Sequence, residues 1–243
     1  MMSHPKFIHY TFTGADASKF LQGQVTLHVE RLTENSTQYT AICDLKGRVH
    51  FGLWLTKHNA EQFDIVVVED QKEDFSSHIK KYAAFAKAAL VEVGEVFPHV
   101  HENNTIFLSA TSDIQLWQEH VIEHGQAWIS QATEHLFQPQ ELRLHQRNGV
   151  HYDKGCYLGQ EIIARLWFKA QPKQWLHLVK STQEIPNAGN KIEGNIQIVN
   201  MIQTKNNEYI ALIIAKPTTL EETSFLEVIE LPSPLNEDVA RAK

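Results

Sequence analysis

Cysteine is scarce in this chain. Two residues in 243, Cys43 and Cys156, stand far apart and neither lies in a CxxC. A disulfide framework is therefore not expected, and two thiols cannot supply the usual four-cysteine ligand set of an iron–sulfur cluster. No apolar run approaches 18 residues, which excludes a transmembrane helix by length, and Met1-Met2-Ser3-His4-Pro5 has no apolar signal-peptide core. The expected setting is cytoplasmic, with reduced thiols. Positive charge is also short. The net charge of −7 argues against a surface built throughout for nucleic acid. The 14 histidines are scattered and no HExxH appears, so no metal is assigned. There is no low-complexity segment.

What is present is an ordinary globular composition, 42% hydrophobic and 21% charged, in a chain long enough for one large domain or two smaller ones. Phe7 to Phe12 reads as a strand. Asp16 is placed to cap a short helix that stops at Gly23. Thr37 to Ile42 and Val49 to Leu55 read as strands joined by the turn Cys43-Asp44-Leu45-Lys46-Gly47-Arg48, with Gly47 as its positive-φ residue. Gln62 to Val68 is a buried strand, and Phe75, Ile79 and Tyr82 recur at helical spacing with Lys80 and Lys81 outward. Leu90 to Phe97 and Thr105 to Ser109 are further strands, with Pro98 as a break between them. Together these predict an α+β layer.

Ser112 with Gln115 fits a capping box for a helix running to Gly125, with Ile114, Trp117, Val121 and Ile122 on its apolar face. Glu123 then falls in the last helical turn, where it opposes the negative end of the helix dipole at a cost of about 0.3–1 kcal/mol. Either a solvated glutamate tolerates that position or the carboxylate is wanted there. After Pro172 the strands Trp175 to Lys180, Gln197 to Thr204, Tyr209 to Ala215 and Phe225 to Glu230 predict a small antiparallel barrel. Pro217-Thr218-Thr219 reads as a turn, and the tail from Asn236 as frayed.

The densest chemistry lies in Lys154-Gly155-Cys156-Tyr157-Leu158-Gly159-Gln160-Glu161. This reads as a glycine-bent turn opening a short helix, with Arg165 one turn further on. A helix start and Lys154 would favour a thiolate at Cys156; a buried turn with a core cysteine is the plainer reading. His145 or His151 could serve Cys156 as a base, although no Cys-His protease signature surrounds it. Between residues 142 and 180 seven cations face two carboxylates, a local net of +5. That strip fits an anionic ligand, or simply a solvated basic face. It also raises a tRNA-binding reading, weakened by the lack of interleaved aromatics. A carboxylate such as Glu123 matches the adjacent ring N–H and amino group of a pterin, and a basic strip can meet a glutamate tail.

The eight-residue stretch resembles the KGCYxGQE signature of the YgfZ folate-binding proteins, relatives of the glycine-cleavage T-protein, an aminomethyltransferase. Gly14-Ala15-Asp16-Ala17 with Phe20 to Thr26 is similar to that family's N-terminal motif, Cys43 to Arg48 to its CDxKG turn, Ile122-Glu123-His124-Gly125 to the IEAG segment, and Pro139-Gln140-Glu141-Leu142 to its PQEL segment. The chain departs from the pattern at His28, Val121 and Arg143, where Asp, Arg and Asn are common.

The resemblance implies an α+β aminomethyltransferase folate-binding fold over 1–170, with an inserted ferredoxin-like layer at about 56–111, and a C-terminal antiparallel β-barrel over 171–243. It implies tetrahydrofolate or another reduced folate as ligand, and a role in assembling or repairing iron–sulfur enzymes that would support tRNA modification indirectly. An aminomethyltransferase moving a one-carbon unit to tetrahydrofolate is the alternative. The implied site has Cys156 and Lys154 as acting groups and Glu123, Tyr157, Gln160, Glu161, Arg165, Gln24 and Thr26 at the folate. Folate and iron–sulfur enzymes are the expected partners, without direct nucleic acid or membrane binding.

Overall fold

A computed structural model describes residues 4–241. In chain order the strands are β1 (Phe7–Thr13), β2 (Thr37–Cys43), β3 (Val49–Asn59), β4 (Gln62–Val68), β5 (Ala89–His101), β6 (Asn104–Leu108), β7 (Trp175–Ser181), β8 (Lys191–Ile192), β9 (Ile196–Gln203), β10 (Tyr209–Ala215) and β11 (Glu227–Ile229). The helices are α1 (Ala17–Gln22), α2 (Lys72–Tyr82), α3 (Ile114–Glu123), α4 (Gln160–Lys169) and α5 (Pro217–Glu221).

The first six strands form one sheet in the order β2-β3-β4-β1-β5-β6. β1 lies between β4 and β5, antiparallel to both, and α2 crosses over it. This is the split β-α-β pairing of a ferredoxin-like unit, formed here by β1, α1, β3, β4, α2 and β5. The layer expected at about 56–111 is thus corrected. It is not an insert but begins at β1, because the strand that completes its sheet comes from the first residues of the chain. Ile65-Val66-Val67-Val68 is apolar without alternation because both faces of β4 are covered. Ile65 and Val67 face α1 and α2 through Leu21, Phe75 and Ile79, while Val66 and Val68 face Trp117 and Val121 of α3.

The last five strands pair antiparallel in the order β11-β7-β10-β9-β8. That order does not close on itself, so the C-terminal unit is a curled half-barrel. Along β10, Ile210, Leu212 and Ile214 join the core shared with the first sheet, while Ala211, Ile213 and Ala215 line the half-barrel's own core. The two lobes therefore meet through one continuous apolar layer.

Several local expectations are corrected. Pro98 does not break a strand: β5 runs through it, pairing with β1 as far as Val96 and with β6 from Phe97 onward. A proline fits where one edge of the strand has lost its partner. Asp113, not Ser112, caps α3, its carboxylate accepting from Leu116 N at 3.1 Å. Asp16 precedes α1 but makes no cap bond; its carboxylate accepts from Lys87 N at 2.8 Å. Pro217 starts a helix rather than a turn, occupying the first helical position where its missing N–H is harmless. The tail is docked as far as residue 241: Leu235 and Val239 are buried, and Arg143 and Gln146 donate to the carbonyl of Glu237.

Candidate functional site

Three of the motifs converge. The Lys154 ammonium reaches back to the N-terminal motif, donating to the carbonyl of Gln22 at 2.8 Å and to that of Val25. Leu158 N donates to Gly23 O at 3.3 Å. Gly159 sits in the left-handed region (φ 79°) against the Cys43–Arg48 turn, so close that a Cβ there would lie 2.4 Å from Asp44 O. Gly47, also left-handed at φ 70°, faces Ile162 at the start of α4 across the same contact. Two tight turns thus meet backbone to backbone, which only glycine permits at these positions.

This geometry sorts the residues of the signature. Lys154 is 7% exposed, and its stem carries the ammonium 4.6 Å above the Tyr157 ring centroid. Burial pushes Lys154 down to about 7, while two carbonyl acceptors and the aromatic face favour its charged form. Lysine here is a strut more than a reagent. Tyr157 is buried, which raises its phenol. Gln160 accepts from Tyr157 N at 3.2 Å and orders the turn. Glu161 and Arg165 are exposed on α4. Cys156 is exposed, and α4 begins only at Gln160 with Gly159 as its cap. The expected helix start at the thiol is therefore corrected: three residues lie between them, and the dipole's effect is confined to the first turn.

The remaining expected contacts separate. Thr26 is fully buried, donating to Gly149 O at 2.7 Å and lying 3.1 Å from the Thr40 hydroxyl, so it ties the N-terminal motif to β2 and to the loop at Gly149. Gln24 binds His78 Nε2 at 2.9 Å. His151 binds His28 N through Nδ1 at 3.0 Å and is held by that bond, and His145 is half-buried. Glu123 is exposed at the end of α3 and lines neither of the two cavities described below. The basic strip divides: Arg143 and Lys154 are buried on carbonyl acceptors and Lys180 pairs with Glu208 at 2.9 Å, while Arg165, Lys169 and Lys173 are exposed.

The arrangement of motifs decides the family when set beside known proteins. An uncharacterized protein of Haemophilus influenzae is 32% identical over 209 residues, covering 76% of this chain and 75% of its own. The tRNA-modifying protein YgfZ of Pectobacterium atrosepticum is 29% identical, covering 75% and 71%, and that of Aliivibrio fischeri (strain MJ11) is 27% identical, covering 94% and 90%. This chain belongs to the YgfZ family. No protein-family model matches it. The crystal structure of glycine cleavage system aminomethyltransferase T from Bartonella henselae shares its fold at a TM-score of 0.60 and 10% identity, covering 89% of this chain and 79% of that one. The aminomethyltransferase-type α+β fold expected from the resemblance is the fold observed.

In this YgfZ-family chain two cavities flank the segment 130–135. The first, about 820 Å³, lies between the lobes. Trp128, Gln118 and Asn200 form part of its wall, with the carboxylates Glu69 and Asp70, the imidazole of His4 and the ammonium of Lys6. Asp70 is exposed at the rim, but the protein packed around its carboxyl raises it, and Glu134 and Glu69 add to that. The second, about 630 Å³, borders the signature at Leu158 and the Cys43–Lys46 turn, and collects His50, His78, Asp74, Glu134 and His135. Burial pushes His78 down to about 4.

Sequence reading missed the first wall, whose residues come from segments that carry no motif of their own, and of the second it had only the Cys43–Lys46 turn and Leu158. It also passed over His120, in the last turn of α3, and His124, which follows its end, with rings stacked at 4.0 Å. Among the described residues, the group whose nitrogen and oxygen atoms come within metal-binding distance of one another is a different one: His50, Glu134 and His135. No helix of the described residues is long and apolar enough to cross a membrane.

Proposed function

We propose that this chain is a reduced-folate-binding accessory protein of the YgfZ type, supporting iron–sulfur enzymes and through them tRNA modification, with Cys156 as its acting thiol. The observation that carries the reading is the roughly 820 Å³ cavity between the lobes, within the range of small-molecule sites, in a fold shared with an aminomethyltransferase T. Two relatives carry the name tRNA-modifying protein. Asp70 and Glu69 offer carboxylates matched to the pterin's paired N–H donors, and Lys6 offers a cation, with the His4 imidazole beside it, for a glutamate tail. Glu123, exposed and off that wall, is the weaker anchor.

Titration calorimetry with tetrahydrofolate on the wild type, Asp70→Asn and Glu123→Ala tests the anchor. Loss of affinity in Asp70→Asn alone is expected, and loss in Glu123→Ala alone would move the pterin to the end of α3. Rescue of a deletion strain tests the thiol: full rescue by Cys156→Ser would make it structural. The shared fold also supports the aminomethyltransferase alternative, which predicts methylene-tetrahydrofolate from an aminomethyl-lipoyl donor. No turnover leaves the accessory reading.

A further inference from the structure

We infer that His50, Glu134 and His135 form a divalent transition-metal site of the His₂Glu type in the cavity beside the signature turn. The three side chains each bring one ligand atom within 4.8 Å of the others. His50 Nε2 lies 3.9 Å from Glu134 Oε2, which small side-chain adjustments bring to the spacing of ligands on a zinc-sized ion, where metal–ligand bonds are about 2.0–2.2 Å. Two imidazoles and one carboxylate are the donor set of open zinc sites, with a further position left for water or a ligand. Here that position is served by the 630 Å³ cavity.

The surrounding groups are those a metal site needs. His135 Nδ1 lies 2.9 Å from Asp44 Oδ2. That bond fixes the tautomer and leaves Nε2 as the ligating nitrogen, the carboxylate–histidine–metal relationship. Asp44 is itself held, accepting from Lys46 N at 2.8 Å and Arg48 N at 3.0 Å. Buried Gln71 donates to Glu134 Oε2 at 3.1 Å and to His50 O at 2.9 Å, joining two of the ligands through one amide. The backbone registers the pair as well: His135 N donates to Val49 O at 2.7 Å and Val49 N to Phe137 O at 2.8 Å. The ligands therefore sit on a strand and on a segment bonded to that strand, and both are positioned before any ion arrives. This site is independent of the folate reading, which uses the other cavity.

The test is equilibrium binding of Zn²⁺ to the untagged full chain, with Co²⁺ as a spectroscopic probe. One ion per chain is expected, with the visible d–d bands of a four- or five-coordinate site. His135→Gln, at the exposed rim and so tolerant of change, should weaken binding at least about tenfold, as should Glu134→Gln; Asp44→Asn should weaken it by about 10–100-fold. The double variant His120→Gln/His124→Gln should leave it unchanged. Absence of binding would overturn the site, as would binding that survives His135→Gln or is lost in the His120/His124 variant. Tetrahydrofolate affinity of His135→Gln and Asp44→Asn separates a failed metal site from a failed folate site, since the proposal leaves it at the wild-type value.

Discussion

The ammonium of Lys154 donates to the carbonyl of Gln22 at 2.8 Å across 132 residues of chain. With its second acceptor, Val25 O, it makes the signature turn and the N-terminal motif one unit. Lys154→Met keeps the stem's volume and leaves two buried carbonyls without a donor. The expected cost is about 2–3 kcal/mol, and the melting temperature of a chain this size should fall by roughly 2–4 °C per kcal/mol. An unchanged melting temperature would mean that water or another donor replaces the ammonium. Because burial favours the neutral amine and the acceptors favour the cation, the same variant also shows whether the charge is needed: Lys154→Met retaining full rescue in a deletion strain would confine the lysine to architecture.

The two glycines of the signature make a paired prediction. Gly159 has φ 79° and a Cβ there would lie 2.4 Å from Asp44 O, whereas Gly155 has nothing within 4 Å of a Cβ position. Gly159→Ala should cost about 1–3 kcal/mol from backbone conformation alone, and more if the two turns separate. Gly155→Ala should stay within about 0.5 kcal/mol of wild type. Urea unfolding of both measures the contrast. Equal midpoints would mean that the turn-on-turn contact is not what holds the signature.

How much of this could be read beforehand divides along physical lines. The strands and helices were legible because they carry the period of their burial, as Phe75 and Ile79 do on α2 and the alternating residues do along β10. The three glycine-bearing motifs were legible as turns. Their meeting was not, since nothing in Lys154 identifies Gln22 O as its acceptor. Pro98 was misjudged because a strand's partner changes are invisible in one sequence. The basic strip was misjudged because a charge count does not distinguish a solvated Lys169 from an Arg143 buried on carbonyls. The His50–Glu134–His135 group brings together residues from β3 and a loop 84 positions later, joined only by tertiary backbone pairing.

A pH dependence follows from the interior beneath the half-barrel. Burial, with Arg143 nearby, pushes both His145 and His177 down to about 4 from 6.5. Between those values the unfolded chain binds more protons than the folded one, so stability falls as pH falls through that window and is fully present above 6.5. Each histidine contributes up to about 1.4 kcal/mol per pH unit. The urea midpoint should therefore drop between about pH 7 and about pH 5, and the variant His145→Gln/His177→Gln should show a shallower drop. A midpoint equally steep in the variant would assign the acid sensitivity to other groups.

The two cysteines should behave oppositely toward an alkylating reagent. Cys156 is exposed, and only the thiolate that it presents to solvent is available to attack. Cys43 is fully buried at the end of β2, where burial and the neighbouring Asp44 both raise its thiol. Iodoacetamide on the native protein should modify Cys156 alone, with Cys43 labelled only after denaturation, and mass spectrometry of the digested chain locates the label. Modification of Cys43 at a comparable rate would mean that the contact between the two turns opens in solution, since Gly159 and the side chains of α4 cover that position. A Gly159→Ala variant sharpens the same measurement. If the inserted methyl group pushes the turns apart, Cys43 becomes reactive in the variant while Cys156 keeps its rate, and the loss of protection reports the separation directly.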